Sequence, residues 1–339
     1  MTIDSWQNFR LKAAAGPRQR IVLADGEDPR VLEAAYQAKI EGIAEPIVIG
    51  SREKIDHFHS PQKGVEIEQV NPKHLDPKDV RFFLDAFCAL PKNKLISREE
   101  ALSRIVDPLV LGCLMVRMGK ANGFIGGATR TTADTLRAAF SIIGLANRLT
   151  TLFGFFLIEP KGPTSDALIL LADCAVTPDP SAKHLAHVAV AAADALQFFT
   201  TQTPRVAFLS FSTAGSATHE QVEKVRQALA LAREKSPDLM MEGEWQADAA
   251  LDKFSAEIKG VGSSPMAGKA NILIVPDLNT GNIAYKLVQR LGGCRAVGPV
   301  LWGLAKPAND LSRGCSVDDV LDMMALTSLQ AAHLPFSTD

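Results

Sequence analysis

The chain has 339 residues, 47% of them apolar and 22% charged, with 24 Gly and 19 Pro, a composition that builds a large core and excludes disorder, collagen and coiled coil. Basic residues number 36 against 38 acidic ones, the net charge is −2, and the basic side chains form no stripe, so a nucleic-acid partner is not expected. At roughly 150 residues per domain the length suggests two domains.

Five cysteines (Cys88, Cys113, Cys174, Cys294 and Cys315) form no C-x-x-C pair and are odd in number. That fits a reducing compartment rather than a disulfide framework. The opening MTIDSWQNFRLKAAAG carries Asp4 and lacks the apolar run of a signal peptide. No stretch reaches the ~20 consecutive apolar residues of a membrane span, LTTLFGFFLIEP being the nearest approach. The expectation is a soluble, cytoplasmic protein with no membrane partner.

In chain order, Arg20 to Ala24 reads as a buried strand and Asp28 to Glu41 as a helix with Val31, Leu32, Ala35 and Ala38 on its apolar face. Pro46 to Ile49 reads as the next strand. The same rhythm recurs at Gly123 to Ile125 with a helix from Thr132 to Ile143, and at Ala167 to Leu171. It continues at Val206 to Ser210 with a helix from Glu220 to Lys235, and at Ile272 to Val275 followed by Ile283 to Leu291. Strands alternating with helices imply an α/β fold of mainly parallel sheets. Glu159 to Ser165 is a turn-rich link, and Gly260 to Gly268 a loop before a strand.

In such folds ligands sit beyond the carboxyl ends of strands, where helix N-termini offer free N–H groups to anions. Four loops are candidates. GGATRTTADTLR brings Thr129, Arg130, Thr131 and Thr132 to a helix start, with Arg137 further along; the plain alternative is an N-cap and a surface charge. SFSTAGSATHEQ offers Ser210, Ser212, Thr213, Gly215 and Ser216 without the Walker A pattern. PDLNTGNIAYK places Asn279 to Asn282 at a helix start, with Tyr285 and Lys286 close behind; packing plus a surface charge is the commoner use of such a pair.

The fourth loop, KPANDLSRGCSVDDV, sets Ser312 and Arg313 before a helix whose first turn holds Asp318 and Asp319. Acids at a helix N-terminus are ordinary capping chemistry. A permanent cation and a hydroxyl beside a general base are less ordinary. The cysteines and histidines match no metal-ligand spacing, so no metal is expected, and Cys174 and Cys315 read as buried, inert thiols.

Together, ADGEDPRVLEAA, GGATRTTADTLR, LADCAVTPDPSAKHLAHVAV, LSFSTAGSATH, EGEWQADAAL, PDLNTGNIAYK, AVGPVLWGL and NDLSRGCSVDDV resemble the phosphate acetyltransferases in order and spacing, from about residue 18 to 330. The resemblance implies two three-layer α/β/α domains similar to those of isocitrate and isopropylmalate dehydrogenases, with an active cleft between them. Domain 1 would comprise residues 1–147 and 298–339, and domain 2 residues 148–297. It also implies a homodimer acting on CoA, acetyl phosphate and inorganic phosphate, with no metal or bound organic cofactor.

Carried over by position, the family's base falls on Asp319, which would take the proton of the CoA thiol. Its Ser-Arg pair falls on Ser312 and Arg313, and a second phosphate-side arginine on Arg137. Thr131, Thr132, Ser212, Tyr285 and Lys286 match cleft-lining positions. Two departures stand out: DAFCALPKNKLIS lacks an arginine that many members carry in that region, and Arg130 replaces a common histidine. Arg130 would add a cation near the phosphate. A propionyl- or butyryl-preferring enzyme of the same superfamily, and a non-catalytic acetyl-CoA sensor, are the alternatives.

Overall fold

A computed structural model of the chain describes residues 6–58, 64–93, 95–146, 151–161 and 168–333. Two compact units emerge, one from Trp6–Leu149 with Gly303–Asp339, the other built on Thr150–Trp302.

The discontinuous unit runs α1 (Trp6–Ala15), β1 (Arg20–Leu23), α2 (Pro29–Ile40), β2 (Glu45–Ile49), α3 (Arg52–Asp56), β3 (Glu68–Val70), α4 (Pro77–Cys88), α5 (Arg98–Ile105), α6 (Pro108–Arg117), β4 (Gly123–Gly126) and α7 (Thr132–Ile142). Helices α2, α4 and α6 start on one local chemistry. Asp28, Asp76 and Asp107 cap them through their carboxylates, and the proline that follows each has no N–H to leave unsatisfied and a preset φ.

The continuous unit follows with β5 (Phe153–Glu159), β6 (Ile169–Ala172), α8 (Ala182–Phe199), β7 (Arg205–Leu209), α9 (Glu220–Lys235), β8 (Met240–Trp245), α10 (Ala247–Leu251), α11 (Lys253–Ile258), β9 (Ile272–Ile274), α12 (Leu278–Arg290) and β10 (Arg295–Trp302). The chain then returns to the first unit as β11 (Ala308–Asp310) and α13 (Val317–His333).

In the discontinuous unit the strand order is β11-β4-β1-β2-β3, every pair parallel. Ile21, Val22, Leu23, Phe124 and Ile125 are buried, as the unbroken apolar runs of a sheet covered on both faces require. Helix α13 packs on α1 and α2 and buries Leu321, Met323, Met324 and Leu326. At ~2 kcal/mol for each such side chain, this seam outweighs the outer Arg10–Asp318 pair, whose kind contributes ~1 kcal/mol at most. Arg10 also reaches the fully buried Asp322 at 2.6 Å, so the charge that α13 buries has a partner.

The second sheet has the order β10-β5-β6-β9-β7-β8, parallel from β6 to β8 and antiparallel at β10-β5-β6. Both sheets are therefore mainly parallel, the α/β class expected. Strands β3, β5, β8, β10 and β11 go beyond the periodicity reading. β5 occupies the apolar run that came nearest to a membrane span, and among the described residues no helix is long and apolar enough to cross a membrane. Residues 298–302, expected in the first domain, belong to β10 and pair with β5; Pro299, which has no N–H to give, lies within the register shift between Val297 and Val300. Helix α12 starts at Leu278, earlier than Ile283, because the Asp277 carboxylate caps it by accepting from Thr280 N at 2.8 Å. The expected boundary at 147/148 and part of the Glu159–Ser165 link lie outside the described residues.

Candidate active site

Because β4 stands between β1 and β11, the loops leaving the carboxyl ends of three parallel strands open side by side. The chain proceeds from β1 to β2 on one side while β4 flanks β1 on the other, so connections diverge there. Such a divergence is where α/β sheets bind ligands.

Two aspartates fasten the β4 loop from opposite sides. Asp25, just past β1, accepts from Ala128 N at 3.0 Å, from Thr129 N at 3.1 Å and from the Thr129 hydroxyl. Asp310, the last residue of β11, accepts from Thr132 Oγ1 on the first turn of α7 at 2.7 Å. Gly127 permits this approach: its φ is +106°, and a Cβ there would lie 2.2 Å from Asp310 Oδ1. Burial pushes the Asp310 carboxyl up to about 7 against the hydrogen bonds of Thr132 and Thr135, and the charge of Asp25 adds to the rise.

Arg30 ties the third loop to these two. It forms a bidentate pair with Asp28, with Nε on Oδ1 at 3.0 Å and Nη2 on Oδ2 at 2.8 Å. Nη1 donates to the carbonyls of Arg313 at 2.9 Å and Cys315 at 2.8 Å, and Nη2 to that of Ala128 at 3.3 Å. The planar fork of arginine suits this distribution, which an ammonium cannot reproduce.

The turn held in this way carries Ser312 and Arg313. The Arg313 side chain is exposed and forms no ion pair among the described residues. Ser312 is half-buried, and its Oγ accepts from Gly314 N at 3.3 Å. Asp319 forms a reciprocal cap with Ser316: its Oδ2 accepts from Ser316 N at 2.8 Å, and its own N donates to Ser316 Oγ at 3.1 Å. Its other oxygen, Oδ1, has no hydrogen-bond partner among the described residues, so capping leaves one basic atom available.

On the β4 loop the candidates divide. Thr131 is the N-cap of α7, its Oγ1 accepting from Asp134 N at 3.2 Å, so it serves the helix. Arg137 pairs with Asp134 at 2.8 Å and Arg130 with Asp107 at 3.1 Å; both guanidinium groups are solvent-exposed, where such pairs exchange readily for a stronger anion. Thr132 is half-buried with its hydroxyl on Asp310.

The remaining candidates lie in the continuous unit, and for two of them burial corrects the expectation. Ser212 is fully buried and donates to Glu244 Oε1 at 2.8 Å, so it shapes the loop after β7 rather than facing a ligand. Glu244 also accepts from Gly215 N and Arg226 Nε, each at 2.9 Å. Burial alone would raise its carboxyl, but Arg226 and the loop donors bring it down to about 2. Tyr285 is a core residue whose ring stacks on Phe156 with centroids 3.6 Å apart. Lys286 is exposed, its ammonium 5.7 Å from the Tyr285 ring centroid. Cys174 is buried, its thiol pushed far up by burial and donating to Leu171 O at 3.3 Å, so it presents no thiolate. Among the described residues no group of His, Cys, Asp or Glu is placed to hold a metal.

A sequence model of the family described as Phosphate acetyl/butaryl transferase matches residues 8–328. The chain belongs to this family of acyltransferases. A phosphate acetyltransferase of Thermoanaerobacterium thermosaccharolyticum is 43% identical over 95% of this chain and 98% of its own length. A phosphotransacetylase structure from Streptococcus pyogenes superposes with a TM-score of 0.86 at 38% identity, covering 98% of this chain and 99% of that one. The fold extends to 4-hydroxythreonine-4-phosphate dehydrogenase from Klebsiella pneumoniae, with a TM-score of 0.51 at 10% identity over 94% of this chain and 100% of that one.

Within this family member, sequence reasoning passed over Asp25, Asp28, Arg30, Asp310, Arg226 and Glu244. Five of the six sit inside the motifs that carry the resemblance, ADGEDPRVLEAA, NDLSRGCSVDDV and EGEWQADAAL, but Asp25, Asp310 and Glu244 find their partners far along the chain, and the Asp28–Arg30 pair reads locally as no more than a helix start.

Proposed function

We propose that the chain is a reversible phosphate acetyltransferase that moves an acetyl group between CoA and inorganic phosphate. Asp319 takes the proton of the CoA thiol, the thiolate attacks the carbonyl carbon of acetyl phosphate, and the carbon–oxygen bond to phosphate breaks. Arg313 holds the phosphoryl group and the developing oxyanion, with Ser312 adding a hydrogen bond. The first turn of α7, with Thr132, and the exchangeable guanidinium groups of Arg130 and Arg137 supply further phosphoryl contacts. What carries this reading is one juxtaposition: an exposed arginine and a carboxylate oxygen, both without a partner among the described residues, on the same turn-to-helix junction.

The chemistry asks for little else. A thiol with a pKa near 8.5 is only a few per cent thiolate at pH 7, so a placed base accelerates attack. Acetyl phosphate is already activated, and fixed donors around its phosphoryl group supply orientation and charge stabilisation. The five free cysteines support a reducing, cytoplasmic setting, and the family resemblance supports a homodimer, which light scattering tests.

Purified protein should form acetyl-CoA from CoA and acetyl phosphate, followed by the ultraviolet absorbance of the thioester. Binding of CoA without turnover would overturn the reading in favour of a sensor. Comparing kcat/KM for acetyl, propionyl and butyryl phosphate fixes the acyl range, because each methylene contributes only ~1–3 kcal/mol of discrimination.

A further inference from the structure

We propose that Asp310 is a positioning residue that sets the direction of the Thr132 hydroxyl: when protonated it donates to Thr132 Oγ1 and turns that hydroxyl's hydrogen toward the substrate phosphoryl group, and when ionised it draws the hydrogen back to itself. The inference rests on Thr132 being a phosphoryl contact.

Asp310 has no exposed surface; Thr132 Oγ1 lies 2.7 Å from its Oδ2, and the Thr135 hydroxyl and the Leu311 N–H are its other polar neighbours. Its second oxygen, Oδ1, is buried without a partner among the described residues. An ionised carboxylate with one oxygen bare in a dry site is costly, whereas a neutral carboxylic acid is not. The 2.7 Å separation serves either direction of donation, since a hydroxyl rotates to suit its neighbour. Asp25 shows the contrast across the same loop: it accepts from two backbone N–H groups and a hydroxyl.

The direction matters because Thr132 occupies the first helical position of α7. The N–H groups of Thr132 and Ala133 have no partner among the described residues, and an anion bound there would have the positive end of the helix behind it. A hydroxyl that adds a third donor strengthens such a site; one that presents only lone pairs weakens it.

The charged groups on the elements packed around Asp310 are otherwise engaged. Asp25 from the β1 end raises its carboxyl pKa to about 7 together with burial, the larger cause. Arg30 of α2 is committed to Asp28 and to backbone carbonyls. On α13, Asp318 and Asp322 pair with Arg10, and Asp319 caps its own helix through Ser316. The hydroxyls of Thr132 and Thr135 on α7 oppose the rise.

The test compares KM for acetyl phosphate, at saturating CoA, between pH 6 and 8.5 in the native protein, Asp310→Asn and Thr132→Val. In the native protein KM should climb about three- to tenfold as Asp310 ionises, the range of one hydrogen bond to a charged group. Asp310→Asn, whose amide always donates to Thr132, should keep the low KM across the range, and Thr132→Val should keep a high one. Carboxyl ¹³C NMR gives a reading independent of turnover: an Asp titration near neutral pH should vanish in Asp310→Asn and move upward in Thr132→Val. Absence of that titration, or native and Asp310→Asn enzymes with the same KM profile, overturns the proposal. Lack of any thioester formation by the native protein would instead overturn the acetyltransferase reading, while the NMR titration would still report on Asp310.

Discussion

Arg30 holds the backbone of the residue it most resembles: its Nη1 donates to the carbonyl oxygen of Arg313 at 2.9 Å, across 283 positions of sequence. One arginine thus fixes the turn from which the other projects. Replacing Arg30 by Ala leaves the carbonyls of Arg313, Cys315 and Ala128 without this donor and Asp28 without its partner. Losses of ~1–3 kcal/mol accompany each buried group stranded in that way. We expect kcat to fall about tenfold or more, and Arg30→Lys to recover little of it because an ammonium lacks the fork geometry. Steady-state kinetics beside a urea denaturation curve checks both parts. A Lys variant with native kcat would refute the geometric argument.

Asp319 has two tasks, and substitution separates them. Asp319→Asn keeps an oxygen to accept from Ser316 N but cannot take a proton, so kcat should drop about tenfold or more with little change in the unfolding midpoint. Ser316→Ala removes the cap while leaving the base, and should cost ~1 kcal/mol of stability with most of the turnover kept. The reverse pattern would make Asp319 a capping residue alone.

Gly127 is the least replaceable glycine of the β4 loop. With φ at +106° and Asp310 Oδ1, Leu311 O and Leu311 N within 2.2, 2.8 and 3.0 Å of an added Cβ, Gly127→Ala must push β11 away from β4. Destabilisation of at least ~2 kcal/mol is expected from the backbone strain and the clash together, read as a lowered Tm.

Cys174→Ala should retain substantial turnover. The thiol is buried and donates to a carbonyl, so its loss removes packing and a weak hydrogen bond but no nucleophile. Trapping an acetylated Cys174 with radiolabelled acetyl phosphate would contradict this.

Stability should fall in acid through Glu244. Its folded value of about 2 lies below the ordinary 4.5, so its contribution is complete above about pH 4.5 and drains away as the pH falls toward 2. Asp310 acts with the opposite sign. Its value of about 7 lies above the ordinary 3.8, so its contribution is complete below pH 3.8 and is lost as the pH climbs through 7. Glu244→Gln should flatten the acid limb of a Tm-versus-pH curve and Asp310→Asn the neutral one.

Much of this is legible in the chain itself. Alternating apolar runs and amphipathic segments marked β1, α2, β2, β4, α7, β7, α9 and β9, because a strand buried on both faces and a helix buried on one leave distinct periodicities. Antiparallel β10 and the short β3 and β11 escaped notice: three residues are too few for a period, and Pro299 breaks the run of β10.

For the site, the sequence alone determined which loops carry hydroxyls, cations and acids, and through wording and order which family they resemble. Only the tertiary structure decided what those groups touch. Thr132 looked free until Asp310, 178 positions away, took its hydroxyl. Tyr285 looked like a contact until Phe156 covered its ring, and Ser212 until Glu244 claimed it. Periodicity records which face of an element avoids water; it does not record which strand will lie beside it. Here that was settled when β4 came to lie between β1 and β11, which brought Asp25 and Asp310 to opposite sides of the β4 loop.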